Sequence, residues 1–107
     1  MTKAYNKFYI NGEWVELDRP ILDVINPATE DAFATIAMGT ADDVDNAAKA
    51  ARAAFDGWAA SSIDERKQVL GNIVAGMKAR AEEIAKAISM EMGAPMSLAS
   101  TAQFGSG

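Results

Sequence analysis

The first forty residues group their aromatic and β-branched positions into short runs that are bounded by turn-forming residues, a pattern typical of strands. Residues 8–15 carry such positions on both sides of an Asn-Gly pair, which readily accepts the positive φ angles of a two-residue hairpin turn. A second run, Ile21–Ile25, stops at an Asn-Pro pair, because proline lacks a backbone donor and keeps the preceding residue out of helical conformation. With a third run at Ala32–Ala37, the pattern predicts a hairpin and two further strands.

After these runs the apolar positions recur at the three-and-four spacing of one helical face. Thr40 is a predicted N-cap, and acidic residues follow it where the helix dipole favours negative charge. Gly57 suits the end of this helix. We expect the aromatic side chains at the end of the apolar face, Phe55 and Trp58, to fill a core.

A second helix is predicted to begin at Ser62, because Glu65 completes the spacing of a capping box. Internal glycines and an acidic stretch after Ala81 leave one long helix and two consecutive helices both open. Residues 93–95 predict a stop, and residues 96–103 could start another helix. The positions expected to point inward are Val69, Leu70, Ile73, Val74, Met77, Ala81, Ile84, Ala85 and Ile88.

Composition changes this picture in several respects. Half of the 107 residues are apolar, but many are alanines that bury little area, so the core is expected to be thin. A net charge of −5 with scattered basic residues argues against a nucleic-acid partner. The sequence shows no apolar run that would form a signal peptide or cross a membrane, so no membrane partner is expected. The absence of cysteine fits a reducing, cytoplasmic compartment.

No constellation of residues predicts a catalytic centre. With neither cysteine nor histidine, the usual pairs of nucleophile and base cannot be built, and no glycine-rich loop has the context of a phosphate site. The acidic cluster at residues 42–45 lacks the other ligands of a calcium loop and is interpreted as helix capping. Met90, Met92 and Met96 could bind monovalent copper, but we favour core positions or a buried subunit contact, since methionine often fills gaps.

The order of motifs resembles the start of aldehyde dehydrogenases. Each motif is weak alone, but together they cover nearly the whole chain in the order and spacing of that family. The motifs are the Asn-Gly segment 8–15, the Asn-Pro segment 25–30, the alanine-rich segment 50–55 with Trp58, the pair Glu65 and Arg66, the helical segment 73–88, and the segment 91–95.

This resemblance implies an α/β fold of the aldehyde dehydrogenase type, with a β-hairpin and short strands followed by two or three α-helices. The chain would be the N-terminal part of the cofactor-binding domain, strand-rich over residues 1–39 and helical over residues 40–107. The implied activity is that of an oxidoreductase that converts an aldehyde to a carboxylate with NAD or NADP. The implied partners are the remainder of the enzyme chain and further copies in a homo-oligomer.

The catalytic residues of the family, a cysteine nucleophile, a glutamate base, an oxyanion-hole asparagine and a cofactor-contacting lysine, lie beyond this segment. We therefore expect the chain alone to bind no cofactor and to be inactive. Some members of the family bind a monovalent cation through backbone oxygens before the Asn-Pro pair and a carboxylate after the glycine-proline stop. The matching residues here are Val24, Ile25 and Gln103, whose amide can coordinate through its oxygen but lacks the charge.

A hypothesis from another class stays open beside this one. The chain could be a stand-alone interaction or assembly module whose apolar helix faces bind another chain. This second hypothesis rests on the apolar helix faces, whereas the first rests on motif order. If nothing covers these faces, they predict oligomers or poor solubility.

Overall fold

The computed structural model describes residues 2–16 and 18–107 and shows strands first and helices after them. The α/β class and the hairpin, strands and helices expected from the sequence are confirmed. The strands are β1 (Lys3–Tyr5), β2 (Lys7–Ile10), β3 (Glu13–Glu16), β4 (Ile21–Ile25) and β5 (Ala32–Ala37). The helices are α1 (Ala41–Ala59), α2 (Ile63–Ala79), α3 (Ala81–Met92) and α4 (Met96–Leu98), which continues as a π-helical turn at Ala99–Gln103. None of the described helices is long and apolar enough to cross a membrane.

The chain divides into two compact units, Met1–Val24 with Ala32–Ser61, and Ile25–Asp31 with Ser62–Gly107. In the first unit the sheet order is β1-β5-β4, and β1 runs parallel to β5 with Ala4 opposite Thr35. Strands β2 and β3 form the predicted antiparallel hairpin, in which Ile10 pairs with Glu13 across the two-residue turn. Strand β1 was not predicted, because it pairs with a strand about thirty residues away and its three residues carry no pattern of their own.

Helix α1 begins as predicted, with Thr40 as its N-cap and Asp43 completing a capping box. Gly57, which the sequence suggested as its end, lies inside the last turn, and the helix continues through Ala59. The backbone N–H of Ala60 donates to the oxygen of Asp56 at 3.0 Å, so the hydrogen-bond ladder runs past the glycine. Glycine lowers helix propensity without breaking the ladder.

The second unit contains two consecutive helices, which decides between the two alternatives left open by the sequence. Arg80 separates α2 from α3 with φ −113, and Ser62 and Glu65 form the predicted capping box of α2. Gly93 ends α3 in the left-handed conformation with φ 74, as the stop at residues 93–95 predicted. A β-carbon at Gly93 would lie 2.9 Å from Cγ of Pro27, so both the backbone angle and the space favour glycine.

The apolar core is thin, as the alanine content predicted. Its buried members are Ala34, Ala37, Ala85 and Ala99, and none of the described large side chains is fully buried. Most of the inward positions predicted for α3 are met, since Ala81, Ile84 and Ile88 are half-buried around Ala85.

The predicted core positions on the earlier helices are wrong for this chain. Phe55 and Trp58 are 56% and 49% exposed, and Leu70 is 59% exposed. Val69, Ile73 and Val74 are also exposed, and only Met77 on that face is half-buried. The hydrophobic period gives the direction of an apolar face, but it does not say whether another element buries that face.

Candidate functional site

The most connected polar cluster of the first unit joins Arg19 to the start of α1. The Arg19 guanidinium donates from Nε and Nη2 to the two carboxylate oxygens of Asp43, at 3.0 and 2.9 Å. The backbone N–H and the hydroxyl of Thr40 donate to Oδ2 of Asp43 at 2.8 and 3.0 Å. Asp43 is 7% exposed, so a two-pronged ion pair and a helix cap share one shielded carboxylate.

These contacts change the acid–base behaviour of both partners. The Arg19 guanidinium, and then the Thr40 backbone N–H, hold the pKa of the Asp43 carboxyl well below its usual range. The hydrogen bond to Asp43 raises the pKa of Arg19 in turn. Both groups are therefore charged at neutral pH, and neither is poised to exchange a proton with a substrate.

The junction between β5 and α1 is the place in the first unit where a phosphate group could meet a helix N-terminus after a strand. Here the Asp43 carboxylate occupies that end of the helix and satisfies the donors of Thr40. A dinucleotide pyrophosphate at this helix end would meet the negative charge of Asp43 and could not accept from the Thr40 donors, which Asp43 already binds. The residues at this junction do not fit a dinucleotide.

The remaining acidic residues of the cluster at 42–45 do not converge on a point. Asp45 pairs with Lys49 one helical turn away at 2.6 Å, with both side chains exposed. In the two described ranges, no group of three histidine, cysteine, aspartate or glutamate side chains could hold a metal ion. The capping interpretation is confirmed for Asp43, which forms the capping box of α1 with Thr40.

An open groove of about 490 Å³ runs beside the hairpin and α1 within the first unit. Its polar lining carries both signs of charge, with Glu13 and Asp43 near Lys49, together with the amides of Asn11 and Asn46. Charges of both signs line the groove, so it offers no uniformly charged surface to an anionic or a cationic ligand. The groove therefore shows no selectivity for a charged substrate.

The three residues predicted to hold a monovalent cation fall into different units. Val24 belongs to the first unit and is half-buried in β4, whereas Ile25 and Gln103 belong to the second. Gln103 lies at the end of the π-helical turn, and its Nε2 donates to the sulfur of Met92 at 3.7 Å. Its Oε1 is buried without a hydrogen-bond donor, the only such side-chain atom among the described residues. The three-residue site stays a prediction.

The π-helical turn that carries Gln103 was not predicted from the sequence. The Ser100 hydroxyl donates to the carbonyl of Met96 at 2.7 Å, and the Thr101 hydroxyl donates to the carbonyl of Ser97 at 2.6 Å. Serine and threonine that bond back in this way compete with the helical ladder and bend helices. The neighbouring hydroxyls at 97, 100 and 101 were the available sign of an irregular helix.

The methionine cluster of the second unit is partly exposed. Met90 is half-buried, but Met92 and Met96 are 65% and 44% exposed. Met92 and Met96 therefore do not lie in the core of this chain, and the alternative of a buried subunit contact stays a prediction. The sulfur of Met92 accepts a hydrogen bond from the side-chain amide of Gln103.

A sequence profile of the aldehyde dehydrogenase family matches residues 14–106. The chain belongs to the aldehyde dehydrogenase family. Among its relatives, a 3-succinoylsemialdehyde-pyridine dehydrogenase from a Pseudomonas species is 47% identical over 98 residues, which are 88% of this chain and 20% of that protein.

Solved structures of the family share the fold of this chain. An aldehyde dehydrogenase from Bartonella henselae is 41% identical with a TM-score of 0.93, over 97% of this chain and 22% of that one. A mutant of aldehyde dehydrogenase C from Pseudomonas syringae, in complex with NAD+ and octanal, is 48% identical with a TM-score of 0.89, over 94% and 21%. The chain thus spans about a fifth of the length of the relatives it matches.

Proposed function

We propose that this chain is the N-terminal part of the cofactor-binding domain of an NAD(P)-dependent aldehyde dehydrogenase, strand-rich over residues 1–39 and helical over residues 40–107. The whole enzyme would oxidise an aldehyde to a carboxylate. The observation that carries the proposal is the family match over residues 14–106, joined to a TM-score of 0.93 over 97% of the chain. The relative that holds NAD+ and octanal supports a nicotinamide dinucleotide and an aldehyde as ligands.

In this proposal the chain acts as scaffold. It has no cysteine and no histidine, so it offers neither a thiolate nucleophile nor an imidazole base for aldehyde oxidation. Its polar network is used internally, since Asp43 holds Arg19 and caps α1. The hairpin and the helices would brace a dinucleotide site built by residues outside this chain.

The test compares two proteins in an assay of aldehyde-dependent NAD(P)H formation followed by absorbance. One is the 107-residue chain, and the other is the product obtained when the gene is translated past Gly107. We expect no turnover from the chain and turnover from a longer product that contains a cysteine. Turnover by the chain alone would contradict the scaffold role. A stop codon directly after Gly107, with no cysteine-bearing partner, would contradict the proposal that the chain is part of an aldehyde dehydrogenase.

We also propose that Val24, Ile25 and Gln103 contribute to a monovalent cation site. The support is the Gln103 Oε1 atom, which is buried and accepts no hydrogen bond, because amide and main-chain oxygens are the ligands that hard cations prefer. We expect potassium or sodium chloride to raise the melting temperature more than tetramethylammonium chloride at equal ionic strength.

Two variants make this cation test specific. Gln103→Leu should lose the difference between the salts, whereas Gln68→Leu on the exposed face of α2 should keep it. If all three salts change the melting temperature of the unsubstituted chain equally, the proposed cation site is contradicted. That result would leave the assignment as a dehydrogenase untouched.

We further infer a cytoplasmic location and a homo-oligomeric enzyme. The absence of cysteine supports a reducing compartment. The exposed apolar faces support a homo-oligomer, because another copy of the chain could bury them. The second candidate, a stand-alone interaction module, is favoured by the same exposure, which reaches 68% at Val44 and 70% at Ile63. A module of that kind would end at Gly107 in the gene and form a stable complex with a different protein.

A further inference from the structure

The tip of the first hairpin combines an asparagine with an open glycine. Strands β2 and β3 are joined by Asn11 and Gly12 alone, with φ angles of 55 and 79. Both residues are exposed, and a β-carbon built at Gly12 would meet no atom within 4 Å. Residue 12 therefore carries no side chain, and the space that a side chain would fill is open.

The side chain of Asn11 is equally unprotected. Among the described residues it makes no side-chain hydrogen bond, although it lines the open groove beside α1. In a two-residue turn of this type the ladder bonds are made by the flanking residues, here Ile10 and Glu13, and the central N–H of Gly12 does not take part. Nothing in the described contacts holds the Asn11 amide away from the nitrogen that follows it.

We infer that Asn11 is a site of spontaneous deamidation, a modification independent of the proposed function. When the turn opens, the Gly12 nitrogen loses its proton to hydroxide and attacks Cγ of Asn11. A carbon–nitrogen bond forms in a five-membered imide, the bond to the side-chain nitrogen breaks, and ammonia leaves with a proton from water. Water then opens the imide at either carbonyl and yields aspartate or isoaspartate, with no oxidation or reduction.

The other asparagines of the chain are internal controls. Asn26 precedes Pro27, which has no N–H and cannot attack. Asn46 and Asn72 lie inside α1 and α2, where the following N–H is held in the helical ladder. Asn6 donates to Glu16 at 3.3 Å and is followed by Lys7, whose β-carbon crowds the attack. The structure thus separates Asn11 from all four.

The two products differ in their effect on the hairpin. Aspartate at position 11 adds a negative charge to a groove that already holds Glu13 and Asp43. Isoaspartate also inserts a methylene into the main chain of a two-residue turn, whose length sets the strand register. We expect it to separate Tyr9 from Trp14, whose rings now lie 5.2 Å apart.

The test is incubation of the folded 107-residue chain at mildly alkaline pH, followed by peptide mass spectrometry and by labelling with an isoaspartate-specific methyltransferase. We expect loss of the amide at Asn11 while Asn26, Asn46 and Asn72 stay intact. Asn11→Gly keeps a turn that accepts positive φ and should abolish the labelling. Amide loss at Asn6 before Asn11, or equal loss at all five asparagines, would overturn the assignment.

A second measurement separates charge from backbone insertion. The Asn11→Asp variant carries the new charge without the extra methylene, so its hairpin amides should exchange hydrogen more slowly than those of the isoaspartate fraction. Equal exchange in the two would show that the methylene is harmless and would overturn the proposed effect on register. The mass spectrum would still decide whether Asn11 reacts.

Discussion

At the scale of the residue, the carboxylate of Asp43 decides how the first helix begins. It accepts two bonds from Arg19 and two from Thr40, and it is largely shielded from water. The sequence indicated its capping role, because the spacing from Thr40 is local. Arg19 lies 24 positions away, and no local pattern could name it as the partner.

The Asp43 pair predicts a component of acid sensitivity. Its folded pKa lies below the unfolded value, so the carboxylate adds stability above about pH 4 that is lost as the pH falls toward the lower folded pKa. Asp43→Asn should lower the urea midpoint of unfolding at neutral pH. As the pH is lowered, the midpoint of this variant should fall less than that of the unsubstituted chain. Asp45→Asn is the control, because its exposed pair with Lys49 contributes little. An unchanged acid profile in Asp43→Asn would contradict this.

The cap of α2 predicts a loss of stability of ordinary size. Ser62 accepts from the Glu65 N–H at 3.2 Å, and its own N–H donates to the Glu65 carboxylate at 2.7 Å and lowers the pKa of that group. Ser62→Ala should reduce the free energy of unfolding by about 1 kcal/mol, measured by urea titration. Ser62→Thr keeps the hydroxyl and should lose less, and equal losses in both variants would argue against the cap.

At the scale of the element, the helices of the second unit begin and end where local chemistry says they should, except at one place. The capping box of α2 and the left-handed Gly93 were visible in the sequence. The break at Arg80 was visible only as an alternative, since its non-helical backbone has no glycine or proline to announce it. The Arg80 guanidinium at this break donates two hydrogen bonds, of 2.9 and 2.7 Å, to the carboxylate of Glu83 in the first turn of α3.

Two glycines of this unit predict opposite effects of alanine. Gly76 lies inside α2 with open space around it, so Gly76→Ala should stabilise the chain by about 1 kcal/mol. Gly93 has φ 74 and faces Pro27, so Gly93→Ala should lower the free energy of unfolding by about 1–2 kcal/mol through the backbone angle alone. The new β-carbon, 2.9 Å from Cγ of Pro27, should destabilise the variant further. Urea titration of both variants checks the pair. Stabilisation by Gly93→Ala would mean that α3 does not end in this way.

At the scale of the whole molecule, the feature that matters most is apolar surface left without cover in the described units. Most large apolar side chains on α1 and α2 are about half exposed or more, whereas the buried apolar residues are four alanines. Surface of this kind marks an interface or an aggregation risk. It accords with a chain that spans about a fifth of its relatives.

The exposed surface predicts self-association of the isolated chain. Light scattering after size-exclusion chromatography should show species larger than a monomer, growing with concentration. Replacing Ile63 and Leu70, which are 70% and 59% exposed, by lysine should reduce association without unfolding α2, because lysine is a good helix former. Gln68→Lys adds charge without removing apolar surface and serves as the control. A compact monomer at all concentrations would count against an uncovered face.

The sequence by itself determined the local features: the hairpin around Asn11, the caps at Thr40 and Ser62, the stop at Gly93, and the family through motif order. The turn, the caps and the stop each depend on chemistry among residues a few positions apart, and the family depends on the order of such local motifs along the chain. Only the tertiary structure decided the strand Lys3–Tyr5, the pairing of Arg19 with Asp43, and which apolar faces are covered. These depend on partners distant in the chain, because the hydrophobic period sets the direction of a face and cannot say whether another element lies against it.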